Sequence, residues 1–209
     1  MIRPTMPLSG RLGLARPIAL ALGLALIGGC VGRSAPVRLY VLTPVPRPVA
    51  VAASTEASKG PALGIGPVTL PRYLDRINIV TRRGAEIDVA EFDRWSEALS
   101  EGVPRVIGAD LAALLGTERI VIFPWSADRE IGRQVVIEIA RFDGTLGGEV
   151  VLEARWRILG PDRKDLLIRY STVREPTGEA SYLSLVSAMS RCLETLSAEI
   201  AKALKELGA

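Results

Sequence analysis

The chain has 209 residues, 26 of them basic and 23 acidic, with no histidine and two cysteines. Without imidazole, Ser-His-Asp and Cys-His catalysis are excluded and the commonest transition-metal ligand is missing. Two cysteines are too few for a disulfide framework or for zinc-type ligand spacing.

Arg3, Arg11 and Arg16 precede an uncharged stretch, PIALALGLALIGG (17–29), which runs into Cys30. A positive region, an apolar core of about a dozen residues and small residues at its end describe a signal peptide, whereas a spanning helix needs about 20 residues. The ending Ile27-Gly28-Gly29-Cys30 resembles the bacterial lipobox, in which the cysteine sulfur takes a diacylglycerol before cleavage. The expectation is a lipoprotein signal peptide over 1–29, a periplasmic domain over 30–209 and a lipid anchor on Cys30. The alternative is an ordinary secretory signal with a chance cysteine, or a short apolar helix that stays on. Several acyl chains on one cysteine hold a protein stably at a membrane, where a single chain does so only marginally. Val31, in place of an aspartate after the cysteine, favours the outer membrane by resemblance to enterobacterial sorting. Residues 1–29 contain no acid, so losing their three arginines brings the basic count level with the 23 acidic residues. A neutral mature chain has no basic field to steer nucleic acid, and none is expected as a partner.

About 180 residues remain, enough for one domain with a substantial core. VRLYVLT (37–43) is β-rich, and the Pro/Ala/Ser-rich segment 44–62 reads as a flexible loop between two strands. ALGIGPVTL (62–70), RINIVTR (76–82) and AEIDVAEF (85–92) read as strands, the last two joined by a hairpin at Arg83-Gly84. Gly64 and Gly66 form Gly-Ile-Gly-Pro, neither a dinucleotide fingerprint nor a P-loop, and suggest strand-end geometry. From Ser96 the apolar period lengthens, with Leu99, Val103, Val106, Ile107, Leu111, Leu114 and Leu115 on one helical stripe that stops at Gly116. Pro104 either opens that helix or kinks it. RIVIF (119–123) and three long segments, 133–144, 149–160 and 165–175, continue as strands, the last three forming a meander. A closing amphipathic helix carries Leu183, Val186, Met189, Leu193, Leu196, Ile200, Leu204 and Leu207 at helical spacing. The fold class is α+β in a single domain, an antiparallel or mixed β-sheet packed against two helices at about 96–115 and 179–207.

PRYLDRINIVTR (71–82) concentrates polar and aromatic side chains at a proline-marked corner. Pro71 ends one strand, Tyr73 and Leu74 pack at the corner, Asp75 pairs with Arg72 or Arg76 to fix the turn, and Ile77 and Ile79 return the chain to the sheet. The candidate docking residues are Tyr73, Leu74, Asp75 and Arg76, with Trp95 and Trp125 at element ends serving either partner contact or local capping of the core. Asp75, Glu86, Asp88, Glu91 and Asp93 lie close enough in sequence to raise carboxylate hydrolysis of glycans, but Glu86, Asp88, Glu91 and Asp93 also fit the solvent side of a strand and turn, which is the reading preferred because most charged residues are simply exposed. Trp156, between alternating apolar positions, belongs to the core. Cys192 has no intramolecular partner and reads as a small buried hydrophobe.

RLYVLTP (38–44), IGPVTLPRYLDRINIVTRRG (65–84), FDRWSEALSEGVPRVIGADLAALLG (92–116), VVIEIARFDG (135–144), ARWRI (154–158) and VSAMSRCLETLSAEIA (186–201), in that order after Cys30, resemble the ABC-type transport auxiliary lipoprotein family. The resemblance covers essentially the whole mature chain, and Pro-x-Tyr-Leu-Asp-Arg is its most specific part. It implies a non-enzymatic lipoprotein of the outer membrane, working with a mammalian-cell-entry (MCE) domain protein and an inner-membrane ABC transporter complex that move lipids or other hydrophobic molecules between membranes. No catalytic residue carries over, and no cofactor is expected beyond the covalent lipid on Cys30. A scaffolding lipoprotein of another envelope complex is the alternative, and assembly into a homo-oligomer is left open.

Overall fold

The computed structural model describes residues 35–44, 46 and 60–208. The signal peptide, Cys30 and nearly all of the Pro/Ala/Ser-rich loop lie outside the described residues. Ala62, where the composition-based loop and the expected strand 62–70 overlap, is the first residue of a strand.

From Val37 onward the chain is a single α+β domain. Its elements are β1 (Arg38–Tyr40), β2 (Ala62–Thr69), β3 (Asn78–Arg83), β4 (Glu86–Trp95), α1 (Leu99–Leu115), β5 (Ile120–Ile122), β6 (Ile131–Gly144), β7 (Glu149–Leu159), β8 (Asp165–Pro176) and α2 (Tyr182–Glu206). The strands form two sheets, a three-stranded one in the order β1-β4-β3 and a five-stranded one in the order β5-β2-β6-β7-β8. Both are mixed. β1 runs parallel to β4, and β2 runs parallel to both β5 and β6, while β3–β4, β6–β7 and β7–β8 are antiparallel. Among the described residues neither sheet closes into a barrel.

The meander shows why this sequence makes a half-buried sheet. Val150, Leu152, Ala154, Trp156 and Ile158 on β7 are buried on one face, while Glu153, Arg155 and Arg157 sit half-exposed on the other. The buried face meets α2, whose Leu185, Met189, Leu193, Leu196 and Ile200 are inaccessible to solvent or nearly so. Burial of each such side chain contributes about 1.5–3 kcal/mol. The Trp156 Nε1 donates to Ser171 Oγ at 2.8 Å, and Ser171 donates in turn to the Glu199 carboxylate of α2, so the polar edge of the indole is satisfied inside the core.

Both helices begin three residues later than their periodicity suggests. Ala98 is extended, with Glu97 before it reaching along the first two turns of α1 to Arg105, and Ser181 caps α2 by accepting from the Ser184 amide at 3.1 Å. Pro104 is the sixth residue of α1, so it neither opens the helix nor ends it. Its missing N–H would have met the carbonyl of Ser100, an exposed residue whose carbonyl water can serve. Gly116 ends α1 in the left-handed region at φ 65° and donates to the Ala112 carbonyl. Gly66 has φ 110° where the β2–β6 register slips between Ile65 and Val68. The Gly-Ile-Gly-Pro stretch is thus a bulge within a strand rather than the end of one.

Candidate functional site

The corner is built between β2 and β3. Pro71 is extended at φ −59° and ψ 140°, and Arg72–Leu74 make a single 3-10 turn closed by Leu74 N donating to Pro71 O at 3.0 Å and Asp75 N to Arg72 O at 3.2 Å. Leu74 is buried, Tyr73 half-buried, and Arg72, Asp75, Arg76 and Ile77 exposed, with 58% of Ile77 open to solvent. The expected ion pair between Asp75 and a flanking arginine does not form, and Arg72, Asp75 and Arg76 are all exposed to solvent. The corner is held instead by Tyr73, whose hydroxyl donates to Asp143 Oδ2 at 2.5 Å.

Asp143, in the Phe-Asp-Gly end of β6, has no exposed surface. Arg141 Nε donates to its other oxygen at 2.9 Å, and Arg82 Nη1 of β3 lies 3.7 Å away. A buried carboxylate is tolerable only when paired and hydrogen-bonded, and these three partners supply both. Burial first, then the hydrogen bond to Asp143 and its negative charge, push the Tyr73 hydroxyl up to about 12 from an ordinary 10.0. This centre joins the corner to the end of β6, 70 positions away in sequence.

A second buried carboxylate ties β1 to β4. Asp93, which its neighbours suggest for the solvent face, is only 4% exposed. It accepts from Tyr40 at 2.6 Å and from Arg38 Nη2 at 3.0 Å, in the register that sets Arg38 opposite Asp93 and Tyr40 opposite Trp95. Burial and the Asp93 hydrogen bond raise the Tyr40 pKa. Trp95 itself is buried in the core, and its amide donates to Ile77 O at 2.7 Å, directly beside the corner. Trp125 is elsewhere. It is half-buried over Gly64 in the first half of β2, with Phe123 edge-on at 5.4 Å, whereas the corner follows the last residue of that strand.

Of the candidate docking residues, therefore, Tyr73, Leu74, Asp75 and Arg76 stand together and Trp95 supports them from within, while Trp125 is separate. Leu74 and Trp95 offer no surface, because their apolar bodies fill the core. The anchoring residues Asp143, Arg141, Arg82 and Arg38 were absent from that set. The available signal was an aspartate closing a long apolar strand.

The glycan-hydrolysis carboxylates do not assemble. Asp75 is in the corner, Glu86, Asp88 and Glu91 are exposed along β4, and Asp93 is engaged by Arg38 and Tyr40. Among the described residues no cluster of three or more carboxylates and thiols suits a metal ion. Cys192 is fully buried, and burial raises its thiol to about 12, which suppresses the nucleophilic thiolate. A cleft of about 480 Å³ opens at the far end of β2 between the C-terminal ends of both helices, where Arg133 Nη2 donates to the Leu207 carbonyl at 2.9 Å. Its described lining carries no carboxylate or thiol. Among the described residues no helix is long and apolar enough to cross a membrane.

The two-sheet, two-helix arrangement recurs in solved proteins. One, an uncharacterized protein, is 18% identical with a TM-score of 0.66, the alignment covering 81% of this chain and 99% of that one. Another, a protein of family DUF330 from Xanthomonas campestris, is 16% identical with a TM-score of 0.59 and coverage of 78% and 92%. Both likenesses establish the fold. No curated protein matches the chain. The chain belongs to the family of ABC-type transport auxiliary lipoprotein components, whose model matches residues 40–201. That span holds both buried-carboxylate centres apart from Arg38.

Proposed function

We propose that this chain is the membrane-anchored auxiliary lipoprotein of an ABC/MCE-type system moving lipids or other hydrophobic molecules between envelope membranes, and that it docks the MCE component at the outer membrane. Its anchor is a lipid on Cys30, it uses no other cofactor, and its role is binding rather than catalysis. Family membership supplies the transport context. The observation that carries the docking assignment is the corner, where Arg72, Asp75, Arg76 and Ile77 stand exposed on a frame pinned by Tyr73 to Asp143 and backed by Leu74 and Trp95. A rim of mixed charge with one apolar side chain, ordered before the partner arrives, loses little entropy on binding. Trp125, with Phe123, offers a separate aromatic contact.

Crosslinking and pull-down from native membranes tests this reading. Arg76→Glu should lower recovery of the MCE protein about tenfold, equivalent to about 1.4 kcal/mol, with thermal stability unchanged. Cys30→Ala should move the chain from the membrane to the soluble periplasmic fraction. A Cys30→Ala chain that still fractionates wholly with the outer membrane removes the anchor. Unchanged recovery with both Arg76→Glu and Tyr73→Ala leaves the corner a purely structural element.

A further inference from the structure

We propose that the outward face of β1 lies against the bilayer surface to which Cys30 is tethered, giving the domain a second, peripheral membrane contact beside its lipid. The inference rests on the lipid anchor proposed above. Among the described residues β1 is an edge strand, paired only to β4. The inward positions are committed, with Tyr40 hydrogen-bonded to Asp93 and Leu42 2% exposed. Leu39 of β1 is 64% exposed, and Val37 and Val41, which flank the strand at alternate positions, are 47% and 44% exposed. Natural edge strands are usually blunted by charge, proline or a covering element, and a bare apolar one invites association. The only charged side chain of β1, Arg38, is 64% exposed but pairs its guanidinium with Asp93 at 2.9 Å.

The chain length selects the occupant. Six residues separate Cys30 from Val37, so a fully extended tether of seven Cα–Cα steps places β1 no more than about 25 Å from the acylated cysteine. A bilayer surface is therefore held within reach of this edge at all times, at a local concentration that no free partner matches. Leu39 is in register with Arg94 of β4, and in-register neighbours on parallel strands share a face. The apolar row thus has a guanidinium beside it, the pairing of apolar body and cationic head that suits the headgroup boundary.

The mature lipoprotein, reconstituted into phosphatidylethanolamine–phosphatidylglycerol vesicles, allows a direct test. Leu39→Cys supplies a unique accessible thiol, since Cys30 would be a thioether and Cys192 is buried. Tyr170→Cys, 77% exposed on β8 in the other sheet, is the control. With a fluorophore on each, the label at position 39 should lose most of its emission to nitroxide-bearing lipids and resist soluble iodide, and the label at position 170 should do the reverse. If vesicles retain the chain and both positions are equally open to iodide, the edge assignment falls while the anchor stands. If position 39 resists iodide without losing emission to nitroxide-bearing lipids, a second copy rather than the bilayer covers the edge and the assignment falls. If the unaltered chain does not co-float with vesicles, the anchor fails and the edge assignment falls with it.

Discussion

Tyr73 combines packing with charge, and its hydroxyl is the group whose removal is most informative. Tyr73→Phe keeps the ring but leaves the buried Asp143 carboxylate to Arg141 and Arg82. A hydrogen bond to a charged, desolvated acceptor is worth about 1.5–3 kcal/mol, so urea melts at neutral pH should show a loss of that size. The pH dependence has a definite sign. With the folded pKa near 12 against 10.0 in the unfolded chain, the hydroxyl is protonated in both states below pH 10 and its contribution is whole. As pH rises from 10 toward 12 the unfolded state gives up its proton first, and stability is lost. Tyr40 and Tyr182 are also raised and share in the wild-type decline. The Phe variant should therefore decline less steeply than wild type over this window, and equal slopes would remove Tyr73 from the account.

At the level of elements, Trp125 depends on the absence of a side chain opposite it. A Cβ on Gly64 would lie 2.7 Å from the Trp125 ring, with a second contact at 3.3 Å to Ile131. Gly64→Ala should displace the indole from β2 at a cost of about 1–3 kcal/mol. Its fluorescence should shift to the red against the constant background of the buried Trp95 and Trp156. An unshifted spectrum with unchanged stability would mean that the ring does not rest on this strand. The same strand shows what periodicity can and cannot convey. Alternation in residues 149–160 located β7 and its buried face, and the helical stripes located α1 and α2 to within three residues, because each pattern is local. The division into two sheets and the parallel pairing of β2 with β5 and β6 depend on partners far along the chain. The corner was visible through Pro71 and its dense polar residues, but not the reason it stays in place. Asp143 is 70 residues from Tyr73, and a charged residue with no known partner is read as exposed. Asp93 reads as exposed on the same ground, and its burial is explained by Arg38 and Tyr40 on β1, more than 50 residues away.

At the scale of the whole molecule, the three-stranded sheet shares the hydrophobic core through Ile79, Val80, Ala90 and Trp95, and a small number of polar bridges reinforce the junction. Tyr73 and Arg82 converge on Asp143, Thr145 Oγ1 donates to Arg82 O at 3.0 Å, Arg105 Nη2 donates to Leu42 O at 3.0 Å, and Thr43 N donates to Ser190 Oγ at 3.1 Å. The Asp143 centre is the only one of these bridges that neutralises arginine charge on both sides of the junction. Asp143→Ala leaves Arg82 and Arg141, each about a third exposed or less, without their shared carboxylate, and should cost about 3–5 kcal/mol. The loss should not be uniform. If the centre joins two regions of different local stability, hydrogen exchange should accelerate most in β3, β4 and the corner, with smaller changes in β6, β7 and α2. Acceleration of equal size throughout would mean that the molecule opens as one unit and that Asp143 contributes only to its total. The same variant separates the two attachments proposed for this lipoprotein. A loosened corner should capture less MCE protein, while fractionation with the membrane, which depends on the lipid on Cys30, should be unaltered.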